Sequence, residues 1–235
     1  MNSTLPLLTQ GLRTLGLDEG AAPRLVQFAD LLLEQNKVMN LTAITEPKDV
    51  ATLHLLDCAA LASLEDFSSS SVVDVGTGAG FPGMPLQLLV PSARLTLLDS
   101  LGKRIRFLED VCRELDLKDT RCVHARAEEF ARDHRENFDF AVSRAVAALP
   151  MLCELALPMV RTGGAFLAMK ALQSDEEIQS AKSAIAQLGG RLEAVLEYTV
   201  FSTNVRRRVV VIRKERPTPR TFPRALARIK KNPMV

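Results

Sequence analysis

Four glycines, at positions 76, 78, 80 and 83, follow directly on a run fit for a buried strand in the stretch VVDVGTGAGFPGMP, Val72 to Pro85. Bare backbone after a strand lets peptide N–H groups approach a ligand closely, and a helix starting there adds a field that favours the ligand's negative end. The chemistry this points to is the holding of a nucleotide-like cofactor. Two registers compete, because Gly78, Gly80 and Gly83 spell G-x-G-x-x-G while Gly76, Gly78 and Gly80 spell G-x-G-x-G. The dinucleotide fingerprint puts its first glycine directly after the strand and leaves room for a pyrophosphate at the helix start. Here Gly76 occupies that place. S-adenosyl-L-methionine carries no phosphates, so the loop would close over its methionine end and no diphosphate cradle is needed.

Other residues fall at fixed distances from the loop. Asp99 ends the next apolar run, where a carboxylate can accept hydrogen bonds from both ribose hydroxyls of either cofactor; it can equally cap the helix that begins near SLGKR. Asp74 sits inside the first strand, where a carboxylate is costly unless bonded, so it either orders the glycine loop or meets the cofactor's ammonium. Ala127 and Glu128 in ARAEEF follow the third strand beside the pocket, where an adenine could bond to backbone and side chain, although two acids also suit an ordinary helix start. Phe81 is read equally as packing or as a ligand contact.

The elements that must position these residues follow from pattern. The first seventy residues read as helical, with apolar spacing at Leu25, Phe28, Ala29, Leu32 and Leu33 and a further helix from Pro47 to about Leu64. DFSSSS, Asp66 to Ser71, is a polar break and the proposed boundary between an N-terminal helical segment (1–66) and the core it packs on (67–214), which a basic tail (215–235) follows. Strands are expected at Ser71–Val75, Arg94–Asp99, Thr120–Ala125, Phe138–Ser143 and Gly164–Lys170. Helices are expected between them, near Gly83–Leu89 and Gly102–Leu115, and after them near Glu176–Leu188. This alternation implies an α/β fold with a parallel sheet and helices on both faces. Leu192–Val200 and Arg206–Arg213 then pair across a link as short as FSTNV, which only an antiparallel hairpin allows. The expected fold is therefore Rossmann-like, seven-stranded and ended by an antiparallel hairpin. With the G-x-G-x-G register, the hairpin favours a methyltransferase over a dehydrogenase.

At 235 residues the chain can bury one substantial core. No apolar run reaches the length of a membrane span, and MNSTLPLL lacks the basic region that opens a secretory signal, so a cytoplasmic protein is expected. Cys58, Cys112, Cys122 and Cys153 form no C-x-x-C pair, and the three histidines add no ligand spacing, so neither a disulfide framework nor a metal site is expected. The net charge of +2 is unevenly placed: from Val205 onward there are eleven Lys and Arg against one acid, Glu215, so that segment is +10 and the preceding 204 residues are −8. Such segregation suits a polyanionic partner as well as a solvated tail.

The acceptor of a methyl group is narrowed by what is missing. The place after the fourth strand reads SRAV, without the Asn/Asp-Pro-Pro-aromatic turn that serves exocyclic amines. Cys153 lies in an expected helix, and no cysteine ends a strand near the pocket as a nucleophile for pyrimidine C5 would. An acceptor that is already nucleophilic fits, such as guanine N7, with a lone pair and no proton to lose. Arg206, Arg207, Arg208, Arg220, Arg224, Lys230 and Lys231 are the candidate RNA-phosphate contacts, and Arg144, just past the fourth strand, points at the mouth of the site.

NKVMNLT (36–42), HLLD (54–57), DVGTGAGFPGMP (74–85), LLDSLGKRIRFL (97–108), RAEEF, VSRAVA and TPRTFPR together resemble the small-subunit ribosomal RNA methyltransferase G family, also called glucose-inhibited division protein B. The resemblance spans most of the chain. It implies an S-adenosyl-L-methionine-dependent enzyme that methylates N7 of a guanine in a loop of bacterial 16S rRNA near the decoding centre. The expected partner is 16S rRNA, within the small subunit or an assembly intermediate, and neither an obligate protein partner nor a membrane is expected. The resemblance also implies a cofactor site at Gly76, Phe81, Ala127, Glu128 and Arg144, to which the residue-level reading adds Asp74, Gly78, Gly80 and Asp99. Arg144, Lys170 and Asn40 are the candidates for contact with the reacting groups. The family commonly has Lys-Gly after the fifth strand where this chain has Lys170-Ala171.

Overall fold

The computed structural model describes residues 1–144 and 146–234. Its N-terminal part is helical: α1 (Leu5–Thr14), α2 (Ala22–Met39), the short α3 (Pro47–Asp49), a π-helical segment at Val50–Leu56, and α4 (Asp57–Ala62). Strands and helices then alternate as β1 (Ser71–Val75), α5 (Gly83–Leu89), β2 (Arg94–Asp99), α6 (Gly102–Glu114), β3 (Thr120–His124), α7 (Ala127–Asp133), β4 (Phe138–Arg144), α8 (Leu149–Ala156), β5 (Val160–Ala171) and α9 (Asp175–Gln187). The hairpin β6 (Gly190–Thr199) and β7 (Arg206–Lys214) and a last helix, α10 (Leu226–Lys231), complete the chain.

The seven strands lie in the order β3-β2-β1-β4-β5-β7-β6. The first five run parallel, and β7 is antiparallel to both β5 and β6. Strand order reverses between β1 and β4, the place where open α/β sheets form a crevice beyond the strands' carboxyl ends. The period-two alternation of side chains divides the core into two layers. Val72 of β1 joins the cluster of α1, α2, α5 and α6, while Val73 and Val75 join that of α7, α8 and α9. The first cluster runs without interruption from Leu8, Phe28 and Leu55 to Met84, Leu97 and Leu108. Phe67, within the polar break, is itself buried and lies 4.7 Å from the Phe140 ring.

Three elements depart from the pattern expected of the sequence. The helix read as continuous from Pro47 to about Leu64 contains the π segment, a widening that no apolar period announces. β5 starts four residues before Gly164 because Val160 pairs with Phe138 ahead of an irregularity in the β4 register. The basic tail contains α10, seated by the buried Ile229.

Phe28 is fully buried in α2, with its ring 5.5 Å from that of Phe81 beside the glycine loop. Phe28→Ala is expected to lower unfolding stability by about 3–5 kcal/mol, read from urea midpoints by far-UV circular dichroism. Both proteins should unfold in one transition; a separate early transition in the wild type would contradict a core shared between the N-terminal helices and the sheet.

Candidate active site

β1 ends at Val75, and the chain turns through Gly76 with φ +73. A Cβ at Gly76 would come within 2.8 Å of Val146 Cγ2, so this position needs both glycine's conformation and its lack of a side chain. The turn is held from inside by Asp74. Its Oδ2 accepts from the Thr77 hydroxyl at 2.6 Å and from Gly83 N–H at 2.8 Å, which closes the loop onto the start of α5. Burial raises the Asp74 carboxyl to about 7 against the pull of those two donors, and its Oδ1 is buried with no hydrogen-bond partner among the described residues. From the neighbouring strand Asp99 accepts from Gly78 N–H at 2.9 Å through Oδ2 and from Leu101 N–H at 2.8 Å through Oδ1, with Arg104 Nη1 at 3.3 Å. It therefore closes a local turn just ahead of α6 and fixes the glycine loop; the N-cap of α6 is Leu101, with no side-chain bond to the helix, so the helix-cap reading of Asp99 does not hold.

The carboxyl ends of β1, β2, β3 and β4 enclose a cavity of about 640 Å³. Gly76, Gly78, Phe81, Asp99, Ala127, Glu128 and Arg144, all singled out in the sequence, line it. Two others do not. Asp74 is sealed beneath the loop, and Gly80 faces the core, where a Cβ would lie 2.6 Å from Met84 Cγ. Asn40 is the exposed left-handed cap of α2, while its successors Leu41 and Thr42 reach the cavity. Lys170 is turned to structure: Nζ donates to Ala147 O at 2.7 Å and pairs with Glu177 at 2.5 Å, and Glu177 also accepts from Leu149 N–H. It thereby braces the segment after β4. SRAV includes Ala145, which lies outside the described residues.

The arginines and lysines of the tail divide by their partners. Arg208 is buried and bonds Asp175 and Glu197, each at 2.8 Å, and Arg224 holds Glu154 through Nε at 2.8 Å and Nη2 at 2.6 Å. As folded, neither presents a free guanidinium to a phosphate, which corrects the expectation for both. The compensating acids lie far back in the sequence, so a count along the tail could not reveal them. Arg206 pairs with Glu197 at 2.5 Å but stays exposed, and Arg207, half-buried, stands 3.9 Å from Asp57. Lys230 lines the cavity from α10. Arg220 and Lys231 are exposed, with no acid partner among the described residues.

The sequence assigned no role to His54, Asp57 or Tyr198, which surround Arg144 together with Phe81. Its guanidinium donates to Leu53 O at 3.2 Å, Asp57 Oδ2 at 3.3 Å and His54 Nδ1 at 3.0 Å, and lies 4.7 Å over the Phe81 ring. Arginine has no lone pair to offer, so His54 must carry its proton on Nε2. That atom is 2.8 Å from Thr42 Oγ1. Burial and the Arg144 charge push the His54 imidazole down to about 4, which keeps it neutral. Asp57 also accepts from the Tyr198 hydroxyl at 2.7 Å. The signals were present as His-x-x-Asp in HLLD and as the chain's single tyrosine. Cys58 and Cys153 are fully buried, and burial pushes both thiols up. Among the described residues no group of His, Cys, Asp and Glu could hold a metal ion.

The family model described as rRNA small subunit methyltransferase G matches residues 21–209. The Ribosomal RNA small subunit methyltransferase G of Acetivibrio thermocellus is 42% identical over 232 residues, covering 97% of this chain and 96% of that protein. The protein of the same name from Alkaliphilus metalliredigens is 42% identical over 233 residues, covering 97% and 98%. Among solved structures, M. jannaschii TYW2 in complex with AdoMet superposes with a TM-score of 0.55 at 13% identity, covering 67% of this chain and 74% of that one. A precorrin-6y C5,15-methyltransferase from Geobacter metallireducens gives 0.52 at 13% identity, covering 75% and 92%. These two likenesses speak to the fold alone.

The raised Asp74 pKa fixes the sign of a pH effect. The folded chain holds this proton up to about 7, whereas the unfolded chain releases it near 3.8, so the contribution is complete below 3.8 and is lost as pH climbs through 7. Asp74→Asn stays neutral throughout. Between pH 5 and pH 8 the wild type should lose stability relative to this variant, on the order of 2–4 kcal/mol. Urea midpoints at the two pH values measure it, and equal pH dependences would show that Asp74 is ionised in the fold.

Proposed function

This chain belongs to the rRNA small subunit methyltransferase G family, and from that premise we propose that it transfers the methyl group of S-adenosyl-L-methionine to N7 of a guanine in 16S rRNA, within the cavity at the ends of β1 to β4. The observation that carries the reading is the convergence of Gly76, Asp99, Glu128 and Arg144 from four successive strand ends on one cavity. Those residues fit the cofactor. Asp99 would take the ribose hydroxyls, Ala127 and Glu128 the adenine, and the bare backbone from Gly76 to Ala79 the methionine end, with the orphaned Asp74 Oδ1 beneath it. Once bound, S-adenosyl-L-methionine supplies an electrophilic methyl on a sulfonium.

The chain's own contribution is position. Guanine N7 has an in-plane lone pair and no proton to surrender, so no general base is required. The cavity agrees with this, since its histidine is held neutral with Nδ1 and Nε2 both engaged by Arg144 and Thr42. Fixing the base against the methyl then supplies the rate enhancement through proximity and orientation. Exposed Leu101 and Val146, with Phe81, give the wall an apolar surface for a base, and Arg126 and Lys230 give it positive charge. In this reading the helical segment 1–66 supplies one wall through Thr42 and His54, the core 67–214 holds the cofactor, and the tail 215–235 brings Leu226 and Lys230 to the cavity. The enzyme works in the cytoplasm on the small subunit or an intermediate of its assembly.

Small subunits that lack the modification, incubated with the protein and labelled S-adenosyl-L-methionine, should yield 7-methylguanosine on nucleoside mass spectrometry. Label in a different nucleoside, or no transfer by folded and cofactor-bound protein, would overturn the acceptor. Asp99→Ala should weaken cofactor binding about 10- to 100-fold, as loss of hydrogen bonds to a carboxylate implies. Unchanged affinity in calorimetry would remove Asp99 from the site.

A further inference from the structure

A second cavity, of about 620 Å³, lies between the end of α7 and the segment 217–223. Arg132, Arg135 and Arg220 line it together with Phe222. The acid in its lining, Glu136, is tied into the groove wall: Oε1 accepts from Thr218 N–H at 3.0 Å and lies 3.6 Å from Lys214 Nζ. Arg135 shapes the groove, since its Nη1 donates to Phe222 O at 2.6 Å and its Nη2 to Thr218 O at 2.6 Å. Those bonds hold the segment that carries Arg220. Arg132 and Arg220 are exposed and neither has an ion-pair partner among the described residues. They differ in this from Arg208, Arg213 and Arg224, each bonded to one or two carboxylates.

Two elements reach both the groove and the active-site cavity. Arg126, Ala127 and Glu128, at the start of α7, line the first cavity, and Arg132, near its end, lines the second. Arg132 lies six steps beyond Arg126, the N-cap of α7, or about 9 Å along the helix axis. The tail makes the same connection in reverse, with Arg220 at the groove and Leu226 and Lys230 at the cavity. α7 and the tail thus each carry one cationic side chain at the cavity, Arg126 and Lys230, and one at the groove, Arg132 and Arg220.

We propose that this groove is a second RNA-contact site, where Arg132 and Arg220 hold backbone phosphates of the substrate strand outside the cavity that receives the target base. The proposal rests on the RNA substrate put forward above. Phosphate contacts of this kind set register without reading sequence, which suits a site that must present one nucleotide of a long chain. Arg135 acts as a positioning residue through the bonds that fix the loop.

The test compares the wild type, the double variant Arg132→Ala/Arg220→Ala and the charge-keeping Arg132→Lys/Arg220→Lys, using unmodified 16S rRNA at a series of salt concentrations. Cofactor affinity without RNA is measured alongside. Loss of two single-stranded phosphate contacts should lower the slope of log affinity against log salt by about 1.4, with the lysine variant close to wild type and cofactor affinity equal in all three. An unchanged slope in the alanine variant, while the wild type binds RNA and transfers methyl, overturns the groove alone. A fall in cofactor affinity would make these arginines structural and also overturn it. A wild type with no salt-dependent RNA binding removes the RNA reading and the groove with it.

Discussion

A guanidinium buried at the end of β4 constrains everything around the active site. Arg144 is only 15% exposed at its side chain, and a charge so placed must find acceptors or the fold does not close over it. It finds them in Leu53, His54 and Asp57, all from the N-terminal helical segment, and in the face of Phe81 from the glycine loop. Hydrogen bonds to a charged group contribute roughly 1.5–3 kcal/mol each, but taking the ion pair out of water costs several kcal/mol per ion. The two are close to cancelling. What the arrangement secures is position, because these contacts together tie the helical segment to the end of β4 and to the glycine loop.

The same logic explains the π segment at Val50–Leu56. Its widened turn lies where Leu53 O, His54 and Asp57 must face a single cation, and such bulges are frequent at functional sites. His54 continues the chain of contacts outward, stacking on Phe81 at 4.5 Å and bonding Thr42, so the segment after α2 becomes part of the cavity wall. Beneath the glycine loop Asp74 has the corresponding task, and Asp99 joins the loop to β2. Loop and helical segment meet at Phe81. A shape for the cofactor and a surface for the acceptor are therefore built by one connected set of residues, as chemistry that depends on orientation requires.

Much of this was legible in the residues. β1, β2 and α5 fall at the residues their patterns indicate, because a β-branched run between turn signals and a helix opened by glycine are local properties. The closing hairpin followed from the shortness of FSTNV. The direction in which loop residues point was only partly legible: Asp74 orders the loop, one of the two tasks its place in the strand suggested, but Gly80 belongs to the motif as firmly as Gly76 and Gly78 and yet faces Met84. Nor could the tail's charge be apportioned, since Arg208 and Arg224 meet Asp175, Glu197 and Glu154 only once β5, β6, β7 and α8 are assembled. His54 and Asp57 were visible as a motif, but their purpose depends on a partner 87 residues from Asp57 along the chain.

The most direct measurement of this account is nitrogen-15 NMR of the histidine side chains as a function of pH, with His54 assigned by substitution. Arg144 can donate to Nδ1 only if His54 is neutral with its proton on Nε2, so the signal should show that tautomer unchanged from pH 8 down to about 5 and titrate near 4. An Nδ1–H tautomer, or a midpoint near the ordinary 6.5, would show that Arg144 does not hold His54 and that the cavity wall is not fixed in this way.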